Sequence, residues 1–69
     1  MILKFDPGEK KLEAANIIHD YLGIPLENAQ EAAKNGEVEI KESSEAEELI
    51  VKDEIMFLME HCGVKILEN

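Results

Sequence analysis

Leu22-Gly23-Ile24-Pro25 forces the chain to stop one helix and start another within four residues. Gly23 can take the left-handed conformation that ends a helix. Pro25 cannot donate a backbone hydrogen bond, but it suits the first position of a new helix. Before the junction, Leu12, Ala15, Ile18 and Leu22 recur at helical spacing, flanked by Ala14, Ile17 and Tyr21. That spacing predicts a helix over Glu9 to Leu22 with a wide buried stripe, and Pro7 and Glu9 suit its start. After the junction, Leu26, Ala29 and Ala33 share one face of a second helix from about Pro25 to Asn35. Ala32 and Ala33 are small enough to let another element approach closely. Asn35-Gly36 closes this helix.

Strand-like runs lie outside the tandem helices. Met1 to Phe5 is a short apolar run stopped by Asp6-Pro7-Gly8, which reads as a strand entering a turn. Glu37 to Glu42 alternates strictly, with Val38 and Ile40 on one face and charges on the other. Ser43 to Glu48 admits two readings. Ser44-Glu45-Ala46-Glu47 fits a capping box that would start a helix. Leu49-Ile50-Val51 also makes a good short strand, and an acidic turn followed by an extended Leu49 to Val51 is the favoured reading. Asp53 would then cap a last helix, Glu54 to Cys62, with Ile55, Leu58, Met59 and Cys62 as its core face. Gly63 ends that helix, and Val64 to Leu67 forms the closing strand. The expected fold is an α/β (α+β) two-layer sandwich in one domain, residues 1–69, ordered β-α-α-β-(β)-α-β. Its small antiparallel sheet of three or four strands is covered on one face by helices.

Charge narrows the function classes. Sixteen acids face seven bases, and every base is lysine, for a net charge of -9. Phosphate binding rests on clustered Lys and Arg, so direct nucleic-acid binding is not expected. The lack of arginine also removes bidentate phosphate and guanine contacts. Acidity suits solubility, a basic protein partner, or mimicry of DNA. Cys62 is the only cysteine, which precludes an internal disulfide and fits a reducing compartment. The first residues lack a signal-peptide pattern, and no apolar run approaches the roughly 20 residues of a membrane span. A cytoplasmic protein without membrane contact is expected.

Few residues suggest chemistry. His61 and Cys62 are adjacent, so on a helix they point about 100° apart and cannot readily chelate one metal or act as a base-nucleophile pair. Cys62 lies on the core stripe and reads as a small buried hydrophobe. His19 has Gly23 at i+4 rather than a second ligand, and reads as a solvent-facing helix residue. Glu39, Glu42, Glu45, Glu47 and Glu48 lack the Gly-containing ligand spacing of a calcium loop and read as a solvated acidic face. The same acids could serve as an electrostatic docking surface. Met56 and Phe57 fall partly off the stripe of the last helix; core positions are favoured over an exposed adaptable patch. No Gly-rich phosphate loop is present, and Ser43 and Ser44 are the only hydroxyl candidates from serine or threonine. No catalytic residue, cofactor or metal is expected.

The order of elements resembles the C-terminal domain of the bacterial ribosomal stalk protein. The resemblance is most specific at Gly23-Ile24-Pro25-Leu26-Glu27-Asn28-Ala29-Gln30, where that family has Gly-Leu-x-Leu-Lys-Glu-Ala-Lys. Gly23, Leu26 and Ala29 match directly and Ile24 conservatively. A second match runs from Val51-Lys52-Asp53 through Cys62-Gly63-Val64. The segment Ser43 to Val51 is similar in length to that of a related fold, the Clp-protease adaptor. That adaptor's Asn-Asp-Asp after the first strand, and its His before the middle strand, have no counterpart here. The resemblance implies a fold and a general habit of binding proteins. Glu27 and Gln30 stand where the family's lysines meet translation factors, so the charge of that face is reversed or lost. The expected function is a small, acidic, non-enzymatic protein-interaction module. Its docking surface would span Tyr21, Ile24, Glu27 and Gln30, with Glu45, Glu47 and Glu48 as steering charge. The alternative is an acidic inhibitor or DNA mimic that binds a basic nucleic-acid protein. A monomer is expected, or a weak homodimer joined through Met56 and Phe57.

Overall fold

The computed structural model describes residues 1–67 of the 69. The chain runs β1 (Ile2–Asp6), α1 (Lys11–Leu22), α2 (Leu26–Asn35), β2 (Glu37–Glu39), α3 (Glu45–Cys62) and β3 (Lys65–Ile66). The three strands form an antiparallel sheet in the order β2-β1-β3. This is an α+β architecture, and the described residues contain no fourth strand.

β1 is the axis of the sheet. Its burial alternates, with Leu3 and Phe5 inward and Ile2, Lys4 and Asp6 exposed. Leu3 stands opposite Val38 and Phe5 opposite Ile66, so the inner face is apolar on all three strands. On the outer face Lys4 stands opposite Glu37 and Asp6 opposite Lys65. Such opposite-charge neighbours favour the observed register over a one-residue slip, which would turn every side chain over. The helices cover the inner face. Ala14, Ala15 and Ile18 of α1, Ala29 and Ala33 of α2, and Ile55 and Met59 of α3 are buried with Leu3, Phe5, Val38, Ile40 and Val64. The core is aliphatic apart from Phe5. Alanines on α1 and α2 let the two helices approach closely.

Leu12, Tyr21 and Leu26, expected on buried faces, are exposed instead. The buried stripe of α1 centres on Ala14, Ala15 and Ile18, and Leu12 lies about 110° around the helix from that centre. Pro25 precedes α2 rather than opening it. Its backbone is extended, and its carbonyl accepts the first helical bond from Ala29 at 3.0 Å.

The largest departure lies in the third helix. Leu49 to Val51 is not extended, and Asp53 caps nothing: α3 is a single helix of 18 residues beginning after Ser44. The Ser44 side chain accepts from the Glu47 N–H at 3.2 Å, and the Ser44 carbonyl takes the first helical bond from Glu48 at 3.0 Å. Glu45, Glu47 and Glu48 then occupy the first turn, where acids complement the helix dipole. Val51 joins Ile55 and Met59 at four-residue spacing on the packed side, which continues the buried stripe backwards into the supposed strand. Leu49 and Ile50 remain exposed. Phe57, favoured as core, is also exposed, at 65%. It stacks on His61, one turn further along, with ring centroids 5.7 Å apart.

Gly36 joins α2 to β2 at φ +75°, and its carbonyl accepts from the Phe5 N–H at 2.9 Å. A Cβ there would sit 2.8 Å from the Phe5 carbonyl oxygen. Backbone strain and a backbone collision therefore act together. Gly36→Ala is expected to lower unfolding free energy by about 2 kcal/mol. Urea melts check this, and an unchanged midpoint would show that the contact carries no weight. Ser44→Ala removes the α3 cap and is expected to cost about 1 kcal/mol. Amide exchange should quicken from Glu45 to Glu48 while Ile55 to Met59 stays protected.

Candidate functional site

The junction that decides the fold also shapes its surface. Gly23, at φ +67°, ends α1 with its N–H on the His19 carbonyl at 3.0 Å. The His19 ring reaches over the same turn, with Nδ1 2.6 Å from the Ile24 carbonyl oxygen. A carbonyl only accepts, so Nδ1 carries the proton. His19 is thus half-buried and tied to the turn rather than simply facing solvent. The bond sets where the chain leaves α1, and so where α2 begins.

Beyond this turn a groove of about 620 Å³ opens between α2 and β2. Glu27, Asn28, Glu31, Ala32 and Asn35 form its helical wall. Glu37, Val38 and Glu39 form the strand wall, and Ile24 sits at the junction end. Four glutamates and the apolar Ile24, Ala32 and Val38 therefore share one groove. No lysine lines the groove. Lys41 approaches from outside, with Nζ 3.9 Å from a Glu39 carboxylate oxygen, both side chains well exposed.

The residues expected to make one docking surface fall into four places. Ile24 and Glu27 enter the groove. Tyr21 faces another way, into a shallow depression shared with Asp53, Glu54, Phe57 and Leu58. Gln30 is exposed on α2 and lines neither hollow. Glu45, Glu47 and Glu48 gather at the start of α3, where two of them hold local structure. Glu47 accepts from the Ser43 hydroxyl at 2.8 Å, and Glu48 accepts from the Glu42 N–H at 3.2 Å. A Glu48 carboxylate oxygen also lies 3.9 Å from the Met1 nitrogen. Glu39, expected only within an acidic cluster with Glu42, Glu45, Glu47 and Glu48, also lines the groove, as do Asn28, Glu31, Asn35 and Glu37, which the sequence reading does not single out. Spacing signals Glu31 and Asn35 alone, since they follow Glu27 at i+4 and i+8 on one helix face.

The chemistry-bearing side chains are dispersed. Among the described residues the buried set is wholly apolar, and no three His, Cys, Asp or Glu side chains gather to hold a metal. His61 stacks on Phe57, while Cys62 is half-buried with Sγ 3.3 Å from the Met59 carbonyl. Among the described residues no helix is long and apolar enough to cross a membrane.

Replacing His19 by Ala removes the side-chain brace on the turn. An expected loss of about 1 kcal/mol follows from one net hydrogen bond. NMR shift changes should concentrate on Ile24 to Glu27. Shifts confined to the immediate surroundings of position 19 would show that the ring does not hold the junction.

No protein-family model, no curated protein and no solved structure matches the chain.

Proposed function

We propose that the chain is a small, acidic, non-enzymatic protein-interaction module that docks its partner along the groove between α2 and β2. One observation carries this reading. Ile24, Ala32 and Val38 line one groove together with Glu27 and Glu31 of α2 and Glu37 and Glu39 of β2. An apolar centre with a charged rim is the usual division of labour at a docking surface, where the centre contributes affinity and the rim steers and selects. The element order β-α-α-β-α-β supports an architecture similar to the stalk C-terminal domain. Reversed charge at Glu27 argues for a different set of partners from that family's. The same acidity opposes direct nucleic-acid binding.

A second reading draws on the acids that line this groove. Two acidic rows along a groove also suit an inhibitor that occupies the basic site of a nucleic-acid protein. Competition by duplex DNA separates the two, because only the mimic is displaced by it.

The test is affinity capture from lysate of the source cells, comparing the natural chain with Glu27→Lys/Glu31→Lys. Gln30→Lys serves as an exposed control off the groove, and circular dichroism checks the fold of each. Proteins retained by the natural chain and by Gln30→Lys, but lost from the double variant, are the expected result. An identical retained set from all three would remove the groove from consideration.

A further inference from the structure

We infer that β2 takes up a lysine-bearing extended segment of a partner protein as an added strand, an assignment that rests on the groove being the docking site. The backbone states the first half of this. In the order β2-β1-β3, β2 is an edge strand. Gly36 and Ile40 turn their polar groups toward β1, with Phe5 N–H on the Gly36 carbonyl at 2.9 Å and Ile40 N–H on the Met1 carbonyl at 2.7 Å. Met1 nitrogen returns a bond to the Ile40 carbonyl at 2.9 Å. Val38, two residues from each, stands opposite Leu3 in the same phase. Antiparallel alternation therefore turns the N–H and C=O of Glu37 and Glu39 away from β1, toward the groove side. An added strand would lie about 4.8 Å from β2, beside the wall of α2.

Side-chain alternation states the second half. Val38 points inward to the core, while Glu37 and Glu39 are exposed on the outer face. A strand paired to β2 inherits that alternation. Its inward residues meet Ile24 and Ala32, and small apolar side chains suit them. Its outward residues stand beside Glu37 and Glu39, where opposite charge is favoured and like charge is not. Lys41 already approaches Glu39 from outside, at 3.9 Å. Glu27 and Glu31 line the same groove from α2 and add to its negative charge.

A second copy of this chain is a poor occupant. Pairing β2 with β2 would bring Glu37 and Glu39 of two molecules, each with net charge -9, onto one edge. A short strand with charged side chains is a common guard against that kind of self-pairing. The same two glutamates select a strand of opposite charge. The occupant is thus a foreign segment in which lysine alternates with small apolar residues.

The full chain, labelled with nitrogen-15, is titrated with the peptide Ac-Lys-Val-Lys-Val-Lys-Val-Lys-NH2 by NMR and calorimetry. Saturable binding is expected, with the largest shifts at Glu37 to Glu39 and Ala32. The Glu37 and Glu39 amides should become protected from exchange. N-methylation of alternate peptide amides, on the edge that would face β2, should weaken binding about tenfold, because it removes the ladder donors. Glu37→Lys/Glu39→Lys should weaken it by a similar factor, and a peptide with Glu in place of Lys should not bind. Equal affinity for the N-methylated peptide, with shifts still in the groove, would overturn strand addition but leave the groove as a docking site. Shifts centred elsewhere, or no binding, would also overturn strand addition. The capture comparison with Glu27→Lys/Glu31→Lys would then judge the groove independently.

Discussion

The close approach of Gly36 to Phe5 holds the two halves of this fold together. At that point α2 ends, β2 begins, and the chain turns back onto the central strand with backbone against backbone. The contact sets the register of β2 on β1, which places Val38 beside Leu3 and closes the inner face. It also decides that β2 lies alongside α2, since the two are joined by this single left-handed residue. The groove follows from it. Without the tight turn, the acids of α2 and the edge of β2 would not line one groove.

A chain of this size buries little surface, so its local signals must agree. They mostly do. β1 and β2 supply strict alternation, α1 and α2 supply small buried alanines, and Gly23 and Gly36 stop their helices at left-handed positions. His19 adds a side-chain brace across the junction, and Ser44 a cap at the start of α3. Charge is kept outside. Every buried residue in the core cluster is apolar, while the acids line the groove, the outer sheet face and the first turn of α3.

Much of this was legible in the residues. Gly23-Ile24-Pro25 and Asn35-Gly36 marked the ends of α1 and α2 because those signals are chemical and local. Val38 and Ile40 were legible as inward residues by alternation alone. The start of α3 was not, because Leu49-Ile50-Val51 satisfies a strand pattern as well as a helical one. The Ser44 capping bond and the continuation of the stripe through Val51 decide the matter, and the second of these needs the packed core. The groove proposed for docking was only half legible. Ile24 and Glu27 lie in the groove, but Tyr21 and Gln30, close to them in sequence, point elsewhere. Glu37 and Glu39 join the site through the tertiary turn at Gly36, which no spacing along the chain expresses.

The central claim is that β2 presents an open, alternating edge toward the groove. Residue-resolved amide hydrogen exchange on the free chain tests it most directly. The account predicts slow exchange at Val38, Ile40 and Phe5, whose N–H groups face a neighbouring strand, and fast exchange at Glu37 and Glu39. Uniform protection from Glu37 to Ile40 would contradict it, because the edge would then already be covered.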